Sequence, residues 1–453
     1  MNDEHADPVM PSTTHRPGPY QGPTREEVLA MRREFLAPSL LTYYRDPVMI
    51  VEGSMQWLFD ETGRRYLDFF GGIVTVSVGH CHPRVVERVR EQVERLQHTT
   101  TIYLHPTIAE FGRKLASTMP ANSGLEVCYF TSSGSEANEL AMLMSRLHTG
   151  NFDLIALRNG YHGMTNQAMG LTGLHTWKQP LLHGIGVHHA RLPDRLRGQY
   201  GYDDPEAGSK YADEVIDLIQ HGTSGQIAGF IAEPIQGVGG TVEIPPGYLP
   251  KVYEAVRAAG GVCISDEVQT GFGRTGTNFW GFENHGVTPD IVTMAKGIGN
   301  GAPLGACVAK AEVAGSMANR LHFNTYGGNP VSMAAGLATL DVMLEEDLQS
   351  RCHEIGGHLL EGLKHLVSSH DIVGDARGQG LMLGLELVTD SKSMAPNGPA
   401  TAQVHERAKE FGLLLGKGGL KGNVLRIKPP MCITRADCDF AIEVLDRCLS
   451  EVD

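Results

Sequence analysis

No apolar run in this 453-residue chain approaches the length of a bilayer-spanning helix, so no membrane-spanning segment is expected. Positive charge is also scarce. The formal net charge is −14 with no dense lysine–arginine cluster, which argues against a nucleic-acid backbone or an anionic membrane surface as partner. Small anionic substrates would then need local basic residues to hold them. The eight cysteines (81, 128, 263, 307, 352, 432, 438 and 448) include no C-x-x-C pair. That excludes a zinc knuckle and a dense disulfide framework and indicates a reducing compartment, the cytoplasm by default. The opening MNDEHADPVMPSTTHRPGPYQGPTREE has acidic residues early and no apolar core, unlike a secretory signal or an Arg-rich transit peptide. Its prolines, glycines and polar residues predict a flexible tail over 1–25, free to lie on a partner subunit.

What is present is ordinary globular material: 41% hydrophobic and 20% charged residues, enough for about two domains. Short apolar runs alternate with helical patterns. EVCYF (126–130), FDLIAL (152–157), IAGFIA (227–232), GVCIS (261–265) and DIVTMA (290–295) are buried-strand candidates. Between two of them, GYLPKVYEAVRAAG places Leu249, Val252, Tyr253 and Val256 at helical spacing and stops on Gly260. This alternation predicts an α/β fold with a mostly parallel, helix-covered sheet, in which ligands collect at the carboxyl ends of the strands. Residues 183–215 read as polar and loop-like. From about 335 the pattern turns to long helices and then mixed elements. The expected organisation is a 26–85 segment contributing to a small domain, a large domain over 86–335, and a C-terminal small domain over 336–453.

Polar residues follow the strand candidates directly. In YFTSSGSEANELAMLM (129–144) a strand runs into a helix start at Ser133, Gly134 and Ser135. Free N–H groups and the positive end of the helix dipole make this a phosphate cradle, or an ordinary N-cap. GGVCISDEVQTGFGRTG (260–276) puts Asp266 and Glu267 at a buried strand end, where a carboxylate needs a cation or several hydrogen bonds. A protonated pyridine nitrogen would satisfy Asp266; a turn-capping role also would. In RNGYHGMT, Tyr161 can stack on a flat ring or fill the core, and His162 can hydrogen-bond nearby. HFNTYGGNP offers the Thr325 hydroxyl to a phosphate or to a turn. TMAKGIGNGAPLGA (293–306) places Lys296 among glycines and apolar residues. Its ammonium either reaches solvent past the apolar patch or is desolvated into a nucleophilic amine suited to an aldehyde.

The ordered set SSGSEANE, YHG, EPIQG, DEVQTGFGRTG, MAKGIGNG and TYGGNP resembles the class III aminotransferases, on the type I fold of pyridoxal-phosphate enzymes, from about Tyr43 to the end. RYLDFFGGIVTVSVGHCHP and GGVCISDEVQTGFGR look most like the class III alanine–glyoxylate aminotransferases. The resemblance implies a large domain with a seven-stranded, mostly parallel sheet and a smaller α+β domain. It implies pyridoxal 5′-phosphate as cofactor, with Lys296 as the Schiff-base lysine and proton shuttle and Asp266 on the ring nitrogen. Val268 and Gln269 would lie near the ring and its phenolic oxygen, Tyr161 would stack, and Ser133, Gly134 and Ser135 would hold the phosphate. His162 and Glu233 would support the cofactor, and Thr325 would reach a phosphate in a neighbouring subunit. That last role implies a homodimer, or a tetramer, with shared active sites.

For substrate, the resemblance places Arg426 (VLRIKPPMCIT) on a carboxylate and Gly72 and Ile73 in the pocket wall. Relatives acting on ω-amino substrates often carry a glutamate just after EPIQG; here the residue is Val238, so Arg426 should remain available. The expected reaction is ping-pong transamination from alanine or a short β-amino acid to glyoxylate or pyruvate. The alternative is a phospholyase or decarboxylase on the same scaffold. GHCHP (79–83) has two histidines but no evident further ligand, so no metal site is expected, and His188 and His189 read as solvated loop residues. Arg197 either contacts a second carboxylate or lies on the surface.

Overall fold

A computed structural model describes residues 7–452. Its centre is a seven-stranded sheet: β1 (Leu125–Thr131), β2 (Leu154–Leu157), β3 (Val187–Ala190), β4 (Gly229–Ala232), β5 (Val262–Asp266), β6 (Ile291–Met294) and β7 (Gly305–Lys310). Spatial order is β1-β7-β6-β5-β4-β2-β3. Four of the six pairings are parallel, and β7 alone runs antiparallel to both its neighbours. The sheet matches the mostly parallel one expected.

Both faces are covered, as the continuous apolar runs require. Alternate residues of one strand serve opposite layers. Leu154, Ala156, Ile231 and Ile264 pack with Ala137, Leu140 and Met144 of the helix Gly134–Thr149. Ile155, Leu157, Phe230 and Cys263 pack instead against Tyr211, Val215, Val252 and Val256 of the helices Ala207–Gly222 and Tyr248–Ala258.

The region expected to be polar loop, 183–215, is corrected in part. Val187–Ala190 is the edge strand β3 and Ala207 begins a helix. His188 and His189 are therefore strand residues. His189 gives its ring nitrogen to the carbonyl of Leu171, and burial depresses its pKa to about 4, so it is neutral rather than solvated.

Two four-stranded sheets flank the centre. One joins Ile50–Ser54, Trp57–Asp60 and Arg65–Asp68 to Leu413–Leu414, so chain ends far apart in sequence share a sheet. The other is antiparallel throughout: β8 (Val373–Gln379), β9 (Met382–Leu387), β10 (Gly416–Gly418) and β11 (Val424–Ile427), in the order β8-β9-β11-β10. The long helical pattern after 335 resolves into Pro330–Glu345 and Leu348–Ser369, separated at Asp347, whose φ of 48° breaks the helix while its carboxylate caps the next one. Of the predicted tail, residues 1–6 lie outside the described residues. Met10 packs on the core beside Arg65, and His15 meets Glu52 at 2.5 Å.

Candidate active site

The strand ends converge. Tyr161 and His162 follow β2, Glu233 follows β4, Asp266 ends β5 and Lys296 follows β6, while the helix Gly134–Thr149 opens after β1. Gly134, Ser135, Asn138, Tyr161, His162, Glu233, Asp266, Val268, Gln269 and Lys296 all line one cavity of about 150 Å³. It sits at the carboxyl edge of the sheet, where a parallel sheet opens its crevice.

The carboxylates of the acidic end are tied down, while the buried Nε2 of His162 has no partner among the described residues. Asp266 is only 2% exposed. Its Oδ2 accepts from His162 Nδ1 at 2.7 Å and from Asn138 Nδ2 at 2.9 Å, and its Oδ1 accepts from the Val268 N–H. Asn138 also donates to the His162 carbonyl and accepts from Thr293 Oγ1 at 2.7 Å. Burial opposes charge on His162, but the hydrogen bond and charge of Asp266 outweigh it and raise the imidazole pKa. Glu233 accepts from the N–H groups of Tyr161 (3.0 Å) and Gly237 (2.8 Å). Its pKa is raised, first by burial, with His162 opposing and the Asp266 charge adding to the rise. Glu267 points the other way, into the core. It takes hydrogen bonds from Ser265, Thr270 and the N–H groups of Gly281 and Phe282, and burial still pushes it to about 7.

Lys296 is the opposite case. Its Nζ makes no hydrogen bond among the described residues. Burial, with the Arg426 guanidinium second, lowers its pKa to about 8 against the pull of Asp266 and Glu233. Near neutrality more of this amine is neutral than in an ordinary lysine, the direction a nucleophilic lysine requires. Its backbone is strained as well: φ is 50°, a left-handed value that a lysine rarely adopts. That conformation turns the chain out of β6.

A basic end borders this lysine. Arg426, 4% exposed on β11, lies over the Phe70 ring at 5.3 Å and donates Nη2 to Gln269 Oε1 at 3.1 Å. Its buried Nε has no acceptor and it forms no ion pair among the described residues. Space for it comes from Gly416 and Gly418, where a Cβ would stand 3.1 Å and 2.5 Å from its side chain. Lys428, fully buried, donates to Gly237 O and to the same Gln269 Oε1, each at 3.3 Å. Burial first, then Arg426, holds its pKa well below the usual lysine range. Sequence reading missed Lys428, and also Asn138. The signal for Asn138 was its place one turn into the helix after Gly134.

Arg426 reaches the cavity wall only through Gln269, and other expected site residues also lie outside that wall. The Ser133 hydroxyl is committed to its helix, accepting from Glu136 N and donating to Glu136 Oε2. Thr325 is exposed in a loop. Gly72 and Ile73 belong to a turn in which Gly71, Gly72, Ile73 and Val74 all have φ between 58° and 65°. A Cβ on Gly71 would meet the Lys428 carbonyl at 2.9 Å, so this left-handed turn packs against the basic end. Arg197 contacts a protein carboxylate, Glu386, and the Met394 carbonyl at 2.7 Å. His80 and His82 each have an acidic neighbour that sequence did not reveal, Asp68 at 2.8 Å and Glu346 at 3.3 Å, and they diverge to separate places. Among the described residues no three potential ligands gather around a metal.

A lysine, a strand-end carboxylate and a helix start around one cavity match the type I arrangement, and comparison with known proteins agrees. The family model described as aminotransferase class-III matches residues 42–449. The chain belongs to the class III aminotransferases. It is 53% identical over 98% of its length, and 91% of the relative's, to alanine–glyoxylate aminotransferase 2 homolog 2, mitochondrial, of Arabidopsis thaliana. It is 46% identical over 99% of its length, and 90% of the relative's, to the mitochondrial alanine–glyoxylate aminotransferase 2 of Homo sapiens. Among solved structures, an (S)-enantioselective omega-transaminase from Thermomicrobium roseum aligns with TM-score 0.88 and 34% identity over 96% of this chain and all of that one. A phospholyase from Arthrobacter in complex with phosphoethanolamine aligns with TM-score 0.87 and 34% identity over 94% of this chain and all of that one.

The relatives correct one expectation. They are named as mitochondrial, which overturns the cytoplasmic assignment. Dispersed free cysteines indicate a reducing milieu and do not separate one reducing compartment from another.

The residues also fit the cofactor of this pyridoxal-phosphate-dependent class. The Gly134 and Ser135 N–H groups, in the first helical turn, have no intrahelical acceptor and border the cavity. A Cβ on Gly134 would stand 3.3 Å from Val268 and 3.4 Å from Ala295, filling the cradle. Lys296 supplies a hydrogen-bond-free amine, Asp266 a fixed carboxylate and Tyr161 a ring, held edge-on by Trp177 at 5.2 Å.

Proposed function

We propose that this aminotransferase moves an amino group from alanine or a short β-amino acid to glyoxylate or pyruvate, by a ping-pong mechanism with pyridoxal 5′-phosphate held at Lys296. Bound there, the cofactor supplies an aldehyde that accepts the amine and a ring that takes up electrons from the substrate's α-carbon. Lys296, whose amine is made less basic by burial, would hold the cofactor and, when free of it, would be placed to carry a proton. Asp266, immobilised by His162 and Asn138, would keep the ring nitrogen protonated. Gly134 and Ser135 receive the phosphate at the helix start.

The observation carrying this reading is Arg426: a buried guanidinium that, among the described residues, has an unused Nε, a single side-chain acceptor and no ion pair. A substrate carboxylate satisfies it in the bidentate geometry that arginine favours. The residue after EPIQG, Val238, is apolar and buried, so no carboxylate from that position competes. Ethanolamine phosphate, the kind of ligand in the Arthrobacter phospholyase, has no carboxylate to offer.

We also propose that a second copy of the chain completes the site. Leu321, Phe323 and Tyr326 are exposed around Thr325, beside exposed Ile102, Tyr103 and Leu104. An apolar band of this kind calls for cover, and sedimentation should show a dimer or larger assembly.

The deciding experiment is to load the protein with pyridoxal phosphate and record its visible spectrum with L-alanine, β-alanine or phosphoethanolamine alone. Bleaching by an amino acid, reversed by glyoxylate or pyruvate, is the expected result. Release of inorganic phosphate from phosphoethanolamine, with no response to either amino acid, would establish a lyase instead.

A further inference from the structure

A second cavity, of about 360 Å³, lies behind the loop that follows Glu233 and shares no lining residue with the active site. Its wall comes from the ends of β2 and β3, the loop at Gly239, and the sheet β8–β11. In a chain of net charge −14, this wall carries five cations, Arg158, Arg191, Arg197, Arg377 and Lys421, against two carboxylates, Asp194 and Glu386.

Three of the cations are already engaged. Arg377 meets Asp375 at 2.8 Å and Glu386 at 2.6 Å and also donates to Gly240 O. Arg197 takes the other oxygen of Glu386, and Arg191 lies 3.1 Å from Glu214. These pairs fix the floor and leave its charge nearly balanced. Arg158, at the end of β2, and Lys421, in the β10–β11 turn, are exposed and have no ion pair or side-chain hydrogen bond among the described residues. Two unpaired cations from different sheets face one concave space. A charge excess inside a cleft focuses the field and concentrates anions there.

We propose that this cavity is a binding site for a small polyanion, a phosphate ester or a di- or tricarboxylate, gripped between Arg158 and Lys421. The ligand ties the end of β2, three residues before Tyr161, to the turn that leads into β11 and Arg426. It therefore bridges the segments that carry the two halves of the active site. The proposal rests on this cavity's own residues and holds whichever amine the enzyme transfers.

The test uses cofactor-loaded protein, in which the phosphate cradle is filled. Thermal unfolding is followed against increasing citrate or pyrophosphate at constant ionic strength, with sodium chloride as the reference salt. A saturable rise in midpoint with citrate, pyrophosphate or both is expected, and which anion acts separates carboxylate from phosphate ligands. In the double variant R158A/K421A the half-saturating concentration should rise by about tenfold or more, the loss expected from one or two charge-assisted hydrogen bonds. R158K/K421R, which keeps both charges, should retain most of the effect and controls for folding. No saturable rise, a rise matched by sodium chloride, or one equal in wild type and R158A/K421A would overturn the proposal, the last by locating the anion elsewhere, for instance on Arg426.

Discussion

At the acidic end of the cavity, Asp266 has three donors around it and Glu233 has two, and the carboxylate of Asp266 raises the pKa of His162. On the basic side, behind the cavity-lining Gln269, Arg426 and Lys428 divide its amide oxygen, and Lys296 has no hydrogen bond among the described residues. Both ends are buried, so both groups of charges were taken from water at similar expense. The acidic end recovers most of it inside the protein, only His162 Nε2 being left without a partner among the described residues, while the basic end recovers less, through three hydrogen bonds of 3.1–3.3 Å. The acidic end is thus permanent framework. The basic end keeps its bonding capacity for molecules that come and go. Truncation at the first should therefore cost stability, and at the second it should cost activity.

Asp266→Ala tests the first half and has the largest expected effect. It strands the buried His162 Nδ1 and one Asn138 amide hydrogen, and breaking a buried, hydrogen-bonded pair of this kind costs about 3–5 kcal/mol. Urea unfolding of the cofactor-free protein measures this without interference from cofactor binding. A loss below about 1 kcal/mol would mean that His162 is neutral in the fold and that the acidic end is not the framework described.

Arg426→Ala tests the second half. Losing a bidentate carboxylate contact should lower kcat/KM for alanine by about 10²-fold or more. The urea midpoint should stay within about 1 kcal/mol of wild type, because only one hydrogen bond inside the protein is lost. Arg426→Lys should recover little, since a point charge on a flexible stem cannot reproduce the fork. A variant that lost stability while retaining kcat/KM would reverse the comparison.

Much of the acidic end was legible in sequence, because its residues sit on regular features: strand ends, a helix start and short turns. The strand candidates, Lys296 and Asp266 share that origin, since a lysine or carboxylate directly after an apolar run has few other places to go. Lys428 was illegible. A lysine before two prolines reads as surface, and only the pairing of β11 with β9 and β10, together with the Lys428 N–H bonded to the Phe69 carbonyl, buries it. The left-handed turn at 71–74 was equally hidden. Glycines predict freedom there, whereas Ile73 and Val74 are β-branched residues that disfavour it, and tertiary contact prevails over both preferences. His189 was misread because polar residues on an edge strand look like loop.

Lys428→Met sharpens the contrast at smaller scale. The thioether fills similar volume, and the two hydrogen bonds it removes are long. Replacing a buried ionisable group by an apolar one should raise stability by about 1–2 kcal/mol. It should leave kcat/KM for alanine within about threefold, because Arg426 provides the carboxylate contact. A tenfold loss would instead make Lys428 a positioning residue for Gln269, and Lys428→Gln should then restore part of it.

The smallest effect is expected where strain rather than charge is held in reserve. Ile73 has φ 65° and is 47% exposed, so its side chain gains little from packing within this chain while its backbone is held in a region β-branched residues avoid. Relief of that strain by Ile73→Gly is worth about 1–3 kcal/mol, and the extra freedom of glycine in the unfolded chain takes back about 1 kcal/mol. A net gain near 1 kcal/mol is expected in urea melts of dilute protein. Repeating the melt at high protein concentration distinguishes two sources of the strain's retention. If the gain persists, the turn is kept for the shape it gives the pocket beside Lys428. If it turns into a loss that grows with concentration, the exposed face of Ile73 is buried by a second copy, and association offsets the left-handed backbone.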